Sequence, residues 1–356
     1  MIDWTGIGIS IAKALVVFLA VLNLVPVLVW AERRGSAFIQ HRLGPNRVNI
    51  AGFSLIGLVQ PLADVVKFVW KEDYVPAHAE RTLYLLAPAM LLVPATMTFA
   101  VIPFGDVLVV GDRTINLVVA DLNVGILYIF AVASLSVYGI VLAGWASNNK
   151  YSLLGGIRSS AQMISYELAL GLSVIGILMI YGAVELDEIV RGQGELLWGW
   201  LPKWGAVTQP LAFLLFTVAM FAEANRLPFD LPEAENELVV GYHTEYSSMK
   251  FALFFMAEYM AMVTGSMLIV TLFLGGWQIP WVGSEALRAA VGPIPAALLQ
   301  VASFGAKTLG LLWLFIWVRW TLPRFRYDQL MHLGWKGVLP LALANLFVTG
   351  LVLYLV

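Results

Sequence analysis

The sequence predicts an all-α integral membrane protein with eight transmembrane helices, an amphipathic helix between the first two, and both termini on the outer side. Composition is the first reason, because 60% of the 356 residues are hydrophobic, 12% are charged and the mean hydropathy is +0.83. Soluble globular chains are far more polar. The second reason is that eight apolar stretches are long enough to cross ~30 Å of hydrocarbon as helices.

The eight predicted spans form one transmembrane domain that covers 1–356. They lie at about 7–31, 83–104, 122–145, 161–183, 206–225, 251–275, 297–319 and 337–356. With both termini outside, 15 of the 21 Lys and Arg residues fall on the cytoplasmic side. Cytoplasmic loops are normally enriched in Lys and Arg, so this orientation is favoured. Tryptophans such as Trp198 and Trp277 then lie in the outer connections, as an aromatic belt requires.

The stretch FSLIGLVQPLADVVKFVW, 53–70, is nearly long enough to be a further span. However, Gln60, Asp64, Lys67 and Lys71 recur at i, i+4, i+7 and i+11, which places them on one helical face. A span here would also move every later loop to the other side and reverse the charge bias. We therefore predict an amphipathic helix that lies at the cytoplasmic interface or packs into the protein. A ninth span is the alternative.

Several kinds of chemistry are excluded by what the chain lacks. It contains no cysteine, so it forms no disulfide, thiolate metal site or protein-ligated iron–sulfur cluster. It also has no nucleotide-binding loop, no HExxH motif and no nucleophile triad, and the net charge of −2 gives no sign of a nucleic-acid partner. We predict no metal and no catalytic residue of its own. If the chain belongs to a redox enzyme, the electrons are carried elsewhere.

Three carboxylates inside predicted spans are candidates for proton transfer. They are Glu167, Glu223 and Glu258. An acid at the centre of a span costs about 2.5–3.5 kcal/mol on insertion scales, so each is a functional candidate. The predicted spans place all three about two turns from the cytoplasmic end or closer, where they can form one layer. The simpler alternative is that each pairs with a neighbour, for instance Glu223 with Arg226 at i+3.

The predicted cytoplasmic loop 226–250 is unusually acidic. The stretch FAEANRLPFDLPEAENELVVGYHTEY, 221–246, holds six carboxylates and one arginine. Acids after Pro232 favour a short helix there, but helix formation alone does not explain why the other cytoplasmic loops are basic. An acidic patch beside apolar helices suits a proton or cation path, or a docking face for a basic partner subunit.

Five blocks of the sequence are similar to the signature blocks of one family. These blocks are AERRGSAFIQHRLGPNRVN, GLVQPLADVVKFVWKED, RSSAQMISYEL, EANRLPFDLPEAENELVVGYHTEYSSMKFALFFMAEY and LPRFRYDQLMHLGWK. The chain resembles, from about residue 25 to its end, the quinone-site membrane subunit of respiratory complex I (NADH:quinone oxidoreductase), the family of the bacterial H subunit and mitochondrial chain 1. The resemblance implies eight spans with an amphipathic helix after the first, in the inner membrane of a bacterium.

The resemblance also implies a role within a larger assembly. With peripheral-arm subunits, such a chain encloses a quinone chamber entered from the bilayer, and antiporter-like membrane subunits are further partners. Quinone, either ubiquinone or menaquinone, is then the substrate, while FMN and iron–sulfur clusters lie on partner subunits. The chain has no complete activity alone, and it helps to couple quinone reduction to proton translocation.

Particular residues acquire roles only through the resemblance. The chamber-lining and charged positions of the family correspond to Glu32, Arg33, Gln60, Asp64, Lys67, Glu72, Arg226, Asp230, Glu233, Glu235, Glu237 and Arg326. Its buried proton-coupling acids correspond to Glu167, Glu223 and Glu258. Some relatives carry a further acid where this chain has Ser134, so a proton route through that position is in doubt here.

Two other functions stay open at this stage. The membrane subunit of an energy-converting hydrogenase shares the fold and some acids without using quinone, although the LPRFRYDQLMHLGWK block favours the respiratory enzyme. A stand-alone ion-coupled transporter is the second alternative, and Lys307 in mid-span is its main support. A snorkelling or paired lysine explains Lys307 more simply, and the chain lacks the internal repeats of many transporters.

Overall fold

The computed structural model describes residues 4–50, 52–111, 113–231 and 235–355, and α-helices dominate it. In chain order the helices are α1 (Trp4–Ile39), α2 (Gln60–Trp70), α3 (Arg81–Met97), α4 (Gly125–Ala146), α5 (Lys150–Tyr181), α6 (Leu186–Gly192), α7 (Gly205–Thr208), α8 (Pro210–Glu223), α9 (Glu235–Leu238), α10 (Ser248–Phe273), α11 (Ser284–Val291), α12 (Pro293–Thr321), α13 (Tyr327–His332) and α14 (Leu339–Leu355). The strands form two small antiparallel pairs, β1 (Val107–Val110) with β2 (Arg113–Asn116) and β3 (Leu196–Leu197) with β4 (Leu201–Pro202). Short 3₁₀ turns lie at Leu55–Gly57, Thr98–Val101 and Gly241–His243, and a π-helical segment, Leu333–Val338, joins α13 to α14.

Seven helices within the described residues are long and apolar enough to cross a membrane. They are Trp4–Ile39, Arg81–Val101, Gly125–Ala146, Lys150–Tyr181, Ser248–Phe273, Pro293–Thr321 and Tyr327–Leu355. The predicted class, an all-α multi-pass membrane protein, is confirmed. The central helix is α10, whose most apolar window is 78% buried, whereas the corresponding window of α1 is only 17% buried. A peripheral helix such as α1 therefore presents most of its surface to lipid or to partner subunits.

The bundle has two ends that differ in character. One end, here called the polar end, gathers the C-termini of α1, α4 and α12 with the N-termini of α3, α5, α10 and α13. At the polar end the Asn149 side-chain amide donates to Glu245 over 2.6 Å. At the opposite end Gln209 near the start of α8 donates to the Thr349 hydroxyl of α14 over 2.7 Å. Consecutive long helices consequently run in alternate directions.

The predicted amphipathic helix is shorter than its sequence pattern indicates. It begins at Gln60 rather than at 53, because a 3₁₀ turn precedes it. Its 11 residues rise about 17 Å, which is too little to cross ~30 Å of hydrocarbon. Instead it lies at the polar end, where the Ser248 hydroxyl of α10 donates to the Phe68 carbonyl over 2.8 Å. The length of α2 does not support a ninth span.

The predicted fifth span, 206–225, differs most from the structure. Helix α8 has 14 residues and rises about 21 Å, so it is too short to be among the seven. After α8 the chain is non-helical over residues 224–231. It turns at Asn225, whose backbone is in the left-handed region at φ 49°. Asn is among the residues that tolerate this conformation best. The Gln162 amide of α5 stabilises the turn by donating to Ala222 O over 2.8 Å and to Asn225 Oδ1 over 3.1 Å.

Segment 224–231 is almost completely enclosed by protein. Arg226, Phe229 and Asp230 are each 4% exposed. Non-helical backbone at membrane depth is tolerated where protein buries it or where it lines a cavity. The first part of the predicted acidic loop, 226–250, is therefore an interior segment.

Candidate functional site

The three predicted proton-coupling glutamates line one cavity. Glu167 from α5, Glu223 from α8 and Glu258 from α10 border the same space between the helices. Most of its remaining lining is apolar and comes from α3, α4, α5 and α10. The polar exceptions are Thr98, Ser136, Asn225, Tyr242 and Thr264. We call this space the acid cavity. Acidic side chains around a largely apolar cavity are suited to holding and exchanging protons.

The depth of the acid cavity differs from the expectation. Helix α5 begins at Lys150, eleven residues before the predicted span, so Glu167 lies 17 residues and about 26 Å from the start of its helix. The prediction that it lies within two turns of the helix end is wrong. Glu167 shares one cavity with Glu223 because α8 stops inside the bundle, and this brings the last residue of α8 level with the middle of α5.

The glutamates of the acid cavity have different surroundings. Glu258 is 7% exposed and accepts a 2.8 Å hydrogen bond from the buried Tyr242 hydroxyl. Glu223 Oε2 is buried and has no hydrogen-bond partner among the described residues. The expected alternative, a Glu223–Arg226 pair, is not what the structure shows, because the Arg226 guanidinium lies 4.2 Å over the Tyr259 ring. The glutamates of one cavity therefore differ in how their carboxyl oxygens are bonded.

A second cluster lies on another side of α10 and is centred on Glu32. Glu32 Oε2 accepts a 2.6 Å hydrogen bond from the Tyr259 hydroxyl, and Glu32 Oε1 lies 2.7 Å from Arg319 Nη1. Arg226 Nη1 is 3.8 Å from Glu32 Oε2. We call these four residues the Glu32 cluster. One buried carboxylate is thus held by groups from α10, α12 and segment 224–231, which compensates the cost of removing it from water.

The acid cavity and the Glu32 cluster share two short pieces of backbone. Glu258 borders the cavity and the next residue, Tyr259, contacts Glu32. Successive residues of a helix point about 100° apart, so one helix can serve both sites. The turn after α8 repeats the arrangement, with Glu223 at the cavity and Arg226 at the cluster. The two sites are therefore separated by few covalent bonds.

Other predicted chamber residues lie at the polar end. Arg33 Nη1 is 2.7 Å from Asp64 Oδ2, and the Gln60 amide donates to Asp64 Oδ1 over 3.0 Å. These contacts join α1 to α2. Asp230 lies 2.9 Å from Arg324, which connects segment 224–231 to the chain after α12.

Four further predicted residues, Lys67, Glu72, Glu237 and Arg326, lie outside both sites. Lys67 and Glu72 are exposed. Glu237 pairs with Arg158 over 2.5 Å, and Arg326 pairs with the nearby Asp328 over 3.0 Å on the surface. Two of the predicted residues are left, Glu233 and Glu235. Glu233 lies outside the described residues, and Glu235 is the first residue of α9.

Sequence reasoning missed Tyr259, Tyr242 and Arg319 as site residues. A signal was present for Tyr259, since it directly follows Glu258 in AEY and must face a neighbouring side of the same helix. No such signal exists for Arg319, because its contact with Glu32 joins residues far apart in the chain. Within the part of the chain that the structure describes, no group of three or more His, Asp or Glu side chains is placed to hold a metal ion.

The fold and both sites define a multi-pass helical membrane protein whose buried ionisable groups meet around one central helix. Comparison with known proteins identifies its family. A family model described as NADH dehydrogenase matches residues 12–350. The chain belongs to this family, which confirms the resemblance of the five sequence blocks.

Similar proteins cover nearly the whole chain. An NADH-quinone oxidoreductase H subunit of Geobacter metallireducens is 50% identical over 349 residues, which is 98% of each chain. NADH-quinone oxidoreductase subunit 8 of Rhodothermus marinus is 51% identical over 95% of this chain and 96% of its own. The NADH-quinone oxidoreductase H subunit of Bdellovibrio bacteriovorus is 47% identical over 99% of this chain and 98% of its own.

Proposed function

We propose that this chain is a membrane subunit of a proton-translocating NADH:quinone oxidoreductase, in which it helps to form the quinone chamber and couples quinone reduction to proton movement. The whole-length similarity to proteins named as subunits of that enzyme supports the assembly. The oxidoreductase activity belongs to the assembly rather than to this chain alone. The observation that carries the coupling role is the convergence of Glu167, Glu223 and Glu258 on one cavity.

The Glu32 cluster and the adjacent polar-end contacts form this chain's part of the quinone chamber. Glu32, Arg33, Asp64 and Asp230 supply charge there, and each is paired with a residue of another element. The other predicted chamber residues complete the lining with the help of peripheral-arm subunits, which cover the polar end. They are Gln60, Lys67, Glu72, Arg226, Glu233, Glu235, Glu237 and Arg326. The FMN and iron–sulfur clusters lie on those partners, and this chain contributes shape and charge.

The polar end faces the cytoplasm of a bacterial inner membrane, and both termini lie on the outer side. This orientation follows the distribution of Lys and Arg in the sequence. Helix α8 together with the buried segment 224–231 is the eighth crossing. The chain is one transmembrane domain, and antiporter-like membrane subunits pack beside it.

Coupling follows from the shared backbone. Reduction of a quinone to a quinol adds two electrons and two protons, so negative charge develops in the chamber before the protons arrive. Such charge is attracted to Arg226 and Arg319 and competes with Glu32 for them. A change in the Arg226 and Tyr259 contacts moves the backbone that also carries Glu223 and Glu258. The protonation of the three cavity glutamates then changes, and this change is passed to the antiporter-like subunits.

The test replaces each cavity glutamate in a strain that produces the remaining subunits. Glu223→Gln keeps the size of the side chain and removes its ability to exchange a proton. We expect native gels to show normal assembly, while inhibitor-sensitive NADH:quinone reduction and proton pumping in membrane vesicles are strongly reduced. Glu167→Gln and Glu258→Gln are expected to behave in the same way.

Glu285→Gln is the matched control, because Glu285 is exposed at the start of α11 at the opposite end. It is expected to pump normally. Normal pumping by Glu223→Gln would refute the coupling role.

Affinity purification through this chain tests the assembly itself, since inhibitor-sensitive quinone reduction is expected from the purified complex. A complex that contains nickel and reduces no quinone would point to a hydrogenase instead.

A further inference from the structure

Lys307, in the middle of α12, is a partly buried cation that the proposed coupling does not use. Its ammonium donates to three main-chain carbonyls, those of Leu274 at 2.8 Å, Gly276 at 3.0 Å and Gln278 at 2.6 Å. The ammonium also lies 4.7 Å over the Trp204 ring. The sequence favours a snorkelling or paired lysine. The structure instead shows a lysine inside a carbonyl cage.

The backbone after α10 builds this cage. Gly275 and Gly276 are both left-handed, at φ 72° and 49°, and they turn the chain so that alternate carbonyls converge. Both turns are tightly enclosed. A Cβ on Gly275 would lie 2.5 Å from Trp204 Nε1, and one on Gly276 would lie 2.5 Å from a Val190 methyl group. The Gly276 amide donates a hydrogen bond to Val270 O in the last turn of α10 over 2.8 Å. These close contacts leave little room for the loop to change its conformation.

The charge of the cage matches a primary ammonium. The C-terminal end of a helix carries a partial negative charge from its unsatisfied carbonyls. Carbonyls buried at membrane depth are costly unless they receive a donor. An ammonium group has three N–H donors, and the cage offers three acceptors at hydrogen-bond distance. The Trp204 face adds a cation–π contact on a further side.

We propose that the carbonyls of Leu274, Gly276 and Gln278 form a monovalent-cation site, and that the Lys307 ammonium is its tethered occupant. The tether fixes the axial position of α10 relative to α12. Lys307 precedes Arg319 by 12 residues, a rise of about 18 Å along α12. Tyr259 precedes Leu274 by 15 residues, a rise of about 22 Å along α10. Arg319 and Tyr259 meet at Glu32. The Glu32 cluster and the cage are thus two fixed points between α10 and α12. The proposed cation site does not depend on which reaction the assembled enzyme catalyses.

The experiment removes the tether and supplies the cation separately. Lys307→Ala deletes the four heavy atoms that propylammonium contains, and this leaves space for that ion in the cage. Thermal unfolding of the chain is followed in native membranes that contain the assembled complex, by its loss from the soluble fraction after heating in mild detergent. We expect the variant to unfold at a lower temperature than the wild type. Propylammonium chloride is expected to restore much of the difference, whereas tetramethylammonium chloride, which has no N–H donor, is not.

Two further variants control the interpretation. Lys307→Met refills the space with an uncharged chain, so it is expected to be destabilised and not restored by propylammonium. Lys203→Ala is the matched control, because Lys203 is also at the opposite end but pairs with the exposed Glu195. Its unfolding is not expected to respond to propylammonium.

Equal restoration of Lys307→Ala by both salts, or unchanged unfolding of Lys307→Ala and Lys307→Met, would overturn the proposal. If Lys307→Ala does not assemble, the cells are grown with propylammonium or with tetramethylammonium and the yield of assembled complex is compared. A higher yield with propylammonium alone supports the cation site, and equal yields refute it.

Discussion

The Tyr259 hydroxyl donates a 2.6 Å hydrogen bond to Glu32 Oε2, and this contact joins residues 227 positions apart. It is the most direct link between the central helix α10 and the peripheral helix α1. Because Glu258 precedes Tyr259 and borders the acid cavity, one peptide unit separates the Glu32 contact from a cavity glutamate. The proposed coupling depends on this contact.

Removing the hydroxyl of Tyr259 tests the link with little change in shape. In Tyr259→Phe, Glu32 keeps Arg319 but loses a hydrogen bond to a charged group, which is typically worth about 1.5–3 kcal/mol. We expect assembly to persist and inhibitor-sensitive quinone reduction to fall severalfold. Native gels and NADH-driven quinone reduction measure the two effects. Tyr354→Phe, on an exposed tyrosine at the end of α14, is the control. Wild-type activity in Tyr259→Phe would contradict the role of the contact.

Glu32 itself is expected to be necessary for assembly. Glu32→Gln removes the carboxylate that Arg319 and Arg226 share, and breaking a buried ion pair costs about 3–5 kcal/mol because the remaining charge stays buried. We expect little assembled complex on native gels. The double variant Glu32→Gln with Arg319→Met is expected to assemble better than Glu32→Gln alone, since it removes one of the two cations. Equal yields would show that the two residues act independently.

The sequence predicts the class of protein, and it singles out three acids that the structure places around one cavity, for physical reasons. Apolar length identifies long spans such as α4 and α10 because the bilayer imposes it. The cost of burying a carboxyl group singles out Glu167, Glu223 and Glu258 in the same way. Their convergence could not be derived, because it depends on where α8 ends, and α8 ends through contacts of Asn225 with Gln162 on another helix.

Long-range pairing is the part that one sequence does not reveal. Asp106 is 5% exposed and pairs with Arg191 over 2.8 Å and with Arg288, residues that are 85 and 182 positions away. No spacing rule connects them. Lys307 is a similar case, because its partners are backbone carbonyls and these have no sequence signature.

Asp64 offers a contrast with Glu32, because its ion pair is partly solvated. The Arg33 side chain is 45% exposed and that of Asp64 is 21% exposed. Exposed pairs contribute about 0–1 kcal/mol and are weakened by salt. We expect Asp64→Asn to leave assembly and thermal unfolding nearly unchanged, with any difference from the wild type disappearing at high salt. A loss of assembly as large as that of Glu32→Gln would show that the pair is shielded from water by a partner subunit.

Glu185 gives a prediction about pH at the opposite end of the bundle. Burial raises the pKa of Glu185, and the negative charges of Asp121 and Glu188 raise it further. A carboxyl group whose pKa is raised on folding favours the folded state when it is protonated, and this contribution is lost as the pH rises through the folded-state pKa. At neutral pH the charged Glu185 therefore opposes folding of the loop before α6.

We accordingly expect Glu185→Gln to unfold at a higher temperature than the wild type at pH 7. The advantage is expected to shrink as the pH falls toward about 4.3, the ordinary value for a glutamate, because the wild-type group then becomes neutral in both states. Unfolding in native membranes at a series of pH values measures the difference. Glu285→Gln, on the exposed α11, is the control. An advantage of Glu185→Gln that is the same at pH 4 and pH 7 would mean that charge is not its cause.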